Sequence, residues 1–141
     1  MISQVNNTTT KHLIMAKKAL TTGQLIKKLQ PLFNKWVRLR DKDKPCISCG
    51  EYVDFDQTDG GHFYAKSGYS GLRFDPDNCH KECRKCNRYD ESHLIGYAEN
   101  LRERIGERDY KALQERARAY KINGVKWSRG ELRELIIKYK P

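Results

Sequence analysis

Two Cys-x-x-Cys pairs, Cys46-Ile-Ser-Cys49 and Cys83-Arg-Lys-Cys86, lie 33 residues apart in a chain of 141 residues. A two-residue gap lets both sulfurs of a pair reach one ion from a single tight turn, and Gly50 permits the positive φ that such a turn favours. Four thiolates suit tetrahedral zinc without an open coordination position. The pairs therefore predict a structural Zn²⁺ site. A redox function is disfavoured, because there are two pairs and no surrounding βαβ pattern.

The fifth cysteine, Cys79, falls outside this spacing and is interpreted as a small buried side chain. Thiolate metal binding without disulfides is typical of a reducing compartment.

The N-terminus MISQVNNTTTKHLIMAKKAL lacks a signal-peptide pattern, and no run approaches the roughly 20 apolar residues of a membrane span. We therefore expect a cytoplasmic location and no membrane partner.

Hydrophobic periodicity divides the chain into four segments. Residues 1–19 begin with an Asn/Thr cluster and are expected to be disordered or loosely packed. Residues 20–44 carry a helical period, with Thr22 as a cap, and Pro31 is expected to break or kink it and to start a second helix. Residues 45–93 are loop-rich, with the short β-type pieces EYVDFD and GHFYA. Residues 94–141 form basic amphipathic helices, the last opened by a Ser128/Glu131 capping box. The predicted fold class is α+β, a small zinc-stapled module flanked by helices.

The charge balance suits a polyanionic partner, since 28 Lys and Arg face 18 Asp and Glu and give a net charge of +10. A solvated surface is the plainer alternative. Six cations flank the cysteine-rich module and are candidates for DNA phosphate contacts: Lys66, Arg73, Lys81, Arg84, Lys85 and Arg88. A second series lies on the later helices: Arg102, Arg104, Arg108, Lys111, Arg116 and Arg118. Tyr64 and Tyr69 could stack on unpaired bases.

Polar residues that the zinc does not use have an informative order. His62 follows a short β-type segment, Asn78 lies five residues before the third cysteine, and Asn87 comes directly after the fourth. This arrangement resembles the HNH nucleases whose third position is Asn. The resemblance implies a ββα-metal finger, in which two strands and a helix hold one divalent cation.

Longer stretches extend the resemblance over roughly residues 30–141. FNKWVRLRDKDKPCISCG, GGHFYAKSGYSGLRFDPDNCHKECRKCN, LRERIG and KWSRGELRELIIKYK are similar to the phage NinG recombination proteins, also called Rap, which are branched-DNA endonucleases. The resemblance implies a zinc-stapled HNH finger and host cytoplasm as the location. It further implies branched DNA, such as D-loops and four-way junctions, as the substrate, with recombination proteins as possible partners.

Roles carry over residue by residue. His62 matches the general base, Asn78 the residue that orients it through its side-chain carbonyl, and Asn87 the residue that binds or positions a catalytic Mg²⁺ or Mn²⁺. Asn78 could instead simply close an Asp-Pro-Asp-Asn turn. His12 and His93 gain no support from the pattern and are interpreted as surface or packing residues.

One position departs from the commoner pattern, because Gly61 stands where many members have an acidic or His ligand. Asp59 or His80 could supply the missing ligand. We favour His80, with a DNA-contacting or structural role as the alternative.

The sequence thus predicts a metal-dependent, structure-selective DNA endonuclease. Its C-terminal amphipathic helices offer apolar faces on which a homodimer could form. The rival interpretation is a non-catalytic zinc-ribbon DNA-binding or adaptor protein, which Gly61 keeps open.

Overall fold

The computed structural model describes residues 18–141. Its helices and strands follow in the order α1 (Thr22–Arg40), β1 (Thr58–His62), β2 (Cys79–Cys83), α2 (Arg84–Tyr89), α3 (His93–Ile105), α4 (Glu107–Asn123) and α5 (Arg129–Tyr139). The fold is mixed α+β, as expected. His12 and most of the segment expected to be loosely packed, up to residue 17, lie outside the described residues.

Helix α1 runs through Pro31 without ending there. Thr21, and not Thr22, is its N-cap, and it forms a capping box with Gln24. The expectation that Pro31 starts a second helix is therefore wrong. One row of buried apolar side chains at four-residue spacing holds the parts of α1 before and after Pro31. The packing of this row offsets the loss of the hydrogen bond that proline cannot donate. That row consists of Leu25, Leu29, Phe33 and Val37.

The two strands form an antiparallel pair in which Gly61 lies opposite His80 and His62 lies opposite Cys79. The predicted strand EYVDFD is not one, because residues 51–54 carry no regular structure and Phe55–Gln57 is a 3₁₀ turn. Arg38 explains this: its Nη2 donates to the Phe55 carbonyl at 2.6 Å and its guanidinium lies 4.2 Å from the Phe55 ring centre. The segment is thus attached to α1.

Two hydrophobic clusters lie on either side of this small sheet. The first, called the α1-side cluster, joins α1 to α5 and contains Phe33, Phe74, Leu132 and the fully buried Cys79, which confirms Cys79 as a packing residue. The second joins the first cysteine turn and the loop between the strands to α3 and α4: Ile47, Leu72, Tyr97, Leu101, Tyr110, Leu113 and Ala117. The sheet is therefore covered on both faces.

The C-terminal region contains the expected helices. Gly106, at a φ of 86°, lies between α3 and α4. Ser128 and Glu131 form the predicted capping box of α5. Among residues 18–141, none of the helices has the length and apolar character that a membrane crossing requires.

Candidate metal centre and candidate active site

The four Cys-x-x-Cys sulfurs converge, with all Sγ atoms within 4.8 Å of one another. Cys46 and Cys49 occupy a tight turn closed by Gly50 at a φ of 76°. Cys83 ends β2 and caps α2, so Cys86 lies in the first turn of that helix. The cysteines thus form a cluster that fits one metal ion such as zinc.

Backbone N–H groups point at this cluster. The Cys83 N–H donates to the Cys46 sulfur at 3.3 Å. Burial alone would raise the pKa of Cys46, but N–H donors from Cys49, Cys83 and Ser48 lower it. Burial and the neighbouring Cys46 raise the pKa of Cys49 to about 11. Metal binding would therefore release protons, since thiolates are the ligands.

His62, at the end of β1, is held by a backbone carbonyl. Its Nε2 lies 2.8 Å from the Arg73 oxygen. A carbonyl only accepts, so Nε2 carries the proton and Nδ1 is the basic nitrogen. Burial lowers the pKa of His62 to about 4, and the charges of Lys66 and Arg73 act in the same direction. The ring is therefore neutral at pH 7 and can accept a proton.

Asn78 does not orient His62 directly, and this expectation needs correction. Its Oδ1 accepts from the Tyr64 N–H at 2.8 Å, and its Nδ2 donates to the carbonyls of Tyr64 and Leu72. The backbone N–H of Asn78 also closes the expected turn onto Asp75. The fully buried amide of Asn78 therefore braces the loop that leads to Arg73, whose carbonyl holds His62.

Gly61 leaves no room for a side chain. A Cβ there would collide with the carboxylate of Glu82, which leans across from β2. Glu82 is fully buried, and its Oε1 lies 2.6 Å from Ser48 Oγ and 2.5 Å from His93 Nδ1. Within the described residues 18–141, its Oε2 has no hydrogen-bond partner. The sequence pattern overlooked Glu82, although its place on the strand facing Gly61 explains the glycine.

His80 is enclosed and does not replace the missing ligand. Its Nε2 lies 3.1 Å from the Asp77 carbonyl, and its Nδ1 lies 3.1 Å from Arg40 Nη2 and 3.6 Å from Asp41 Oδ2. Both ring nitrogens are engaged and the residue is only 3% exposed. The favoured assignment of His80 as a cation ligand therefore does not fit, and the structural alternative does.

Asp41 lies at the centre of the enclosed group that also contains His80 and Arg40, and the sequence pattern did not indicate it. Burial would raise its pKa, but hydrogen bonds from the Arg40 side chain and the Lys81 N–H, together with the Arg40 charge, hold the pKa well below its usual range. The carboxylate is 1% exposed. Asp41 thus fastens the end of α1 to β2.

Asp59 and Asn87 lie together, at the other end of β1 from His62. Asn87 Nδ2 donates to Asp59 Oδ2 at 3.0 Å. Arg88 donates two hydrogen bonds to the same carboxylate at 2.8 and 2.9 Å, and Arg84 lies 3.6 Å away. Burial opposes ionisation, but the hydrogen bonds from Arg88 and Asn87 lower the pKa of Asp59. A carboxylate and an amide oxygen are suitable ligands for Mg²⁺.

Position separates this pair from His62. Side chains alternate along a strand, so Asp59 and His62, three residues apart, project from opposite faces and about 10 Å apart along it. Neighbouring contacts agree, because His62 Nδ1 lies 4.0 Å from Cys79 of the α1-side cluster, whereas Phe63 stacks on Tyr97 of α3. Asp59 and Asn87 therefore do not form one cation site with His62 in this arrangement.

The six cations predicted to contact DNA have different surroundings. Lys81 is 3% exposed, and its Nζ donates to the Lys42 carbonyl at 3.2 Å, so in this arrangement its side chain is not free to contact a phosphate. Arg73 donates to Gln30, while Arg84 and Arg88 lie against Asp59. Lys66 and Lys85 are exposed.

Comparison with known proteins places these features in a family. The model of the bacteriophage lambda NinG protein family matches residues 3–141. Protein ninG of Escherichia phage 933W is 35% identical over 114 residues, which cover 81% of this chain and 54% of that protein.

Two further relatives match a shorter region. Protein ninG of Salmonella phage P22 is 43% identical over 81 residues, 57% of this chain and 39% of that protein. Protein ninG of Escherichia phage lambda is 40% identical over 82 residues, 58% of this chain and 40% of that protein. The matched region thus spans about half or less of these relatives. No solved structure matches the chain. Because the family model covers nearly the whole sequence, the chain belongs to the bacteriophage lambda NinG family.

Proposed function

We propose that this protein is an HNH-type, metal-dependent DNA endonuclease that cuts branched recombination intermediates, with His62 as the general base. The observation that carries the proposal is the state of His62, a neutral ring whose Nε2 is held by the Arg73 carbonyl and whose Nδ1 is basic. The resemblance to the branched-DNA endonucleases supports the choice of substrate.

The chain's own residues would act as follows. His62 Nδ1, which lies 4.0 Å from the Cys79 sulfur, takes a proton from water, and the resulting hydroxide attacks a phosphodiester phosphorus. The bond from phosphorus to the 3′-oxygen breaks, which leaves a 5′-phosphate and a 3′-hydroxyl. The Arg73 carbonyl keeps the tautomer that this step needs, and Asn78 braces the loop that carries that carbonyl. Exposed Lys66, whose charge acts on His62, can hold the neighbouring phosphate.

A bound divalent cation would polarise the phosphate and stabilise the departing 3′-oxygen. Asp59 and Asn87 have the donor chemistry for it but project from the sheet face opposite His62. No step is therefore assigned through them. We expect cleavage to depend on such a cation because the resemblance to the HNH nucleases implies one.

A second function has its own supporting observation. Arg88 occupies the Asp59 carboxylate with two hydrogen bonds, as a structural ion pair would. The second function is that of a non-catalytic zinc-ribbon DNA-binding or adaptor protein. Such a protein needs the four-cysteine centre and a cationic surface, but it does not need Asp59 to be free for a catalytic cation.

The test compares cleavage of labelled four-way junction, nicked duplex and linear duplex with added Mg²⁺ or Mn²⁺. His62→Gln is the most informative variant. The amide nitrogen of glutamine can still donate to the Arg73 carbonyl, but the side chain has no basic nitrogen that could accept a proton. We expect it to fold, to bind junctions, and to cut about 10² to 10⁴ times more slowly. Wild type that binds without cutting, or a variant that cuts equally well, favours the non-catalytic function.

The pH profile supplies an independent readout. His62 must be unprotonated to act, and its pKa is about 4 because of burial, so the cleavage rate should hold down to about pH 5 and fall below that. A rate that already falls near pH 6.5 would mean that the base is an exposed histidine, which His62 is not.

A further inference from the structure

An open cleft lies between the loop that follows β1 and the outer face of α4. Its volume is about 360 Å³, within the usual range of small-ligand sites. Two tyrosines of the loop form one wall, and polar, cationic and apolar side chains of α4 form the other. The aromatic-basic cleft is defined by Tyr64, Tyr69, Gln114, Arg118, Lys121 and Ile122.

The aromatic wall already attracts a cation. The Tyr64 and Tyr69 ring centres lie 4.8 Å apart at an interplanar angle of 56°. Lys121 Nζ lies 4.7 Å from the Tyr69 ring centre. Both rings are half-buried, so part of each remains open to the cleft. Such a wall offers two inclined aromatic rings with a positive charge beside one of them.

The cations of this cleft differ from most of those on α3 and α4, which lie near carboxylates, although Arg104 also has only a backbone carbonyl, that of Pro45, as its partner. Arg102 and Lys111 lie near Glu107, Arg108 near Asp109 and Arg116 near Asp75 and Asp77. Within residues 18–141, neither Arg118 nor Lys121 has a carboxylate within salt-bridge distance, and no acidic residue lines the cleft. Two cations beside two tyrosines are thus left without an anion from the chain.

The cleft is firmly attached to the candidate active site. Tyr64 follows His62 by two residues, so their Cα atoms are at most about 7 Å apart. Asn78 fixes both the N–H and the carbonyl of Tyr64. The tyrosine wall therefore belongs to the chain segment that directly follows His62, and its rings pack against the second hydrophobic cluster.

We propose that the aromatic-basic cleft binds an unpaired nucleobase of the DNA strand, with Arg118 and Lys121 contacting the phosphate of that nucleotide. The base stacks on the tyrosine rings, since every base has a π face, and Gln114 meets its polar edge. Fully paired DNA cannot present a base in this way, whereas a branch point can. The inference rests on the proposed action on DNA and supplies a physical source for branch preference.

The test measures binding without added Mg²⁺ or Mn²⁺, so that no cutting intervenes. The probes are a duplex with one unpaired 2-aminopurine at a branch and the matched fully paired duplex. Tyr69→Leu removes the aromatic ring, and Tyr69→Phe keeps it as the control. Circular dichroism and zinc content establish that both variants are folded.

We expect Tyr69→Leu to weaken binding of the branched probe about five- to hundredfold, as the loss of one base stack would, and to leave the paired duplex unchanged. Wild type and Tyr69→Phe should quench 2-aminopurine fluorescence. Equal effects of Tyr69→Leu on both probes, or no quenching, would overturn the cleft assignment while DNA binding and His62-dependent cutting stand. Failure of the wild type to bind either probe would overturn the cleft and the proposed function together.

Discussion

Adjacent residues of β1 have separate tasks because their side chains alternate between two faces. His62 projects toward the α1-side cluster beside Cys79, while Gly61 faces the buried carboxylate of Glu82. The Glu82 carboxylate in turn contacts Ser48 and His93, which join the first cysteine turn to α3. The absence of a side chain at residue 61 is thus a packing requirement of this chain.

Replacement of Gly61 by alanine should therefore destabilise the fold by about 1–3 kcal/mol, because the new methyl group overlaps a fully buried carboxylate that cannot move freely. Urea denaturation measures this change. Gly68→Ala is the matched control, since an added Cβ there meets nothing within 4 Å. A Gly61→Ala variant as stable as the control would mean that Glu82 can swing aside.

Among the helices and strands, α1 shows how tertiary packing can keep a helix continuous through a proline, a residue that usually interrupts helices. Pro31 lies on the exposed side of a 19-residue helix whose opposite side is the buried row beginning at Leu25. The proline has no N–H for the Lys27 carbonyl and its ring crowds that turn. The helix continues because it packs against β1, β2 and α5 and because its buried row extends on both sides of Pro31.

Pro31→Ala should accordingly stabilise the protein by about 1–2 kcal/mol. The change restores a backbone hydrogen bond, and the greater freedom of the unfolded chain offsets part of that gain. Thermal and urea unfolding provide the measurement, with the exposed Lys35→Ala on the same helix as control. A loss of stability in Pro31→Ala would contradict the view that the proline is tolerated and would give it a packing role.

At the scale of the whole molecule, a sheet of two five-residue strands lies between two hydrophobic clusters. The four cysteines bring the turn at Cys46 to the end of β2, so a metal ion bound by them would connect the N-terminal half to the C-terminal half. Such a small sheet has little independent stability. The centre is therefore expected to contribute to folding directly.

Removal of the metal by a chelator should cause loss of tertiary structure and of much helical circular dichroism, reversed by added Zn²⁺. Metal analysis should find one zinc per chain. Cys86→Ala should lose that zinc, whereas Cys79→Ala should keep it, because Cys79 is buried in the α1-side cluster. Equal zinc loss in both variants would place Cys79 among the ligands.

Local patterns predicted a good part of this arrangement. The cysteine spacing predicted the cluster, the apolar periods predicted α3 and the buried side of α1, and Ser128 with Glu131 predicted the start of α5. These features depend on residues a few positions apart, or on one ion with a strict geometry. The strand at EYVDFD failed for the opposite reason, since Arg38 from a distant helix holds that segment.

The sequence by itself determined the four-cysteine cluster, the buried side of α1 and the C-terminal helices. Only the tertiary structure decided which groups those side chains meet. It enclosed His80 between Asp77, Arg40 and Asp41, buried Lys81, placed Glu82 over Gly61 and turned Asp59 away from His62. The physical reason is that ligand spacing and helical period act locally along the chain. Burial, the face of a strand and the partner of a charge depend on segments that meet only when the chain has folded.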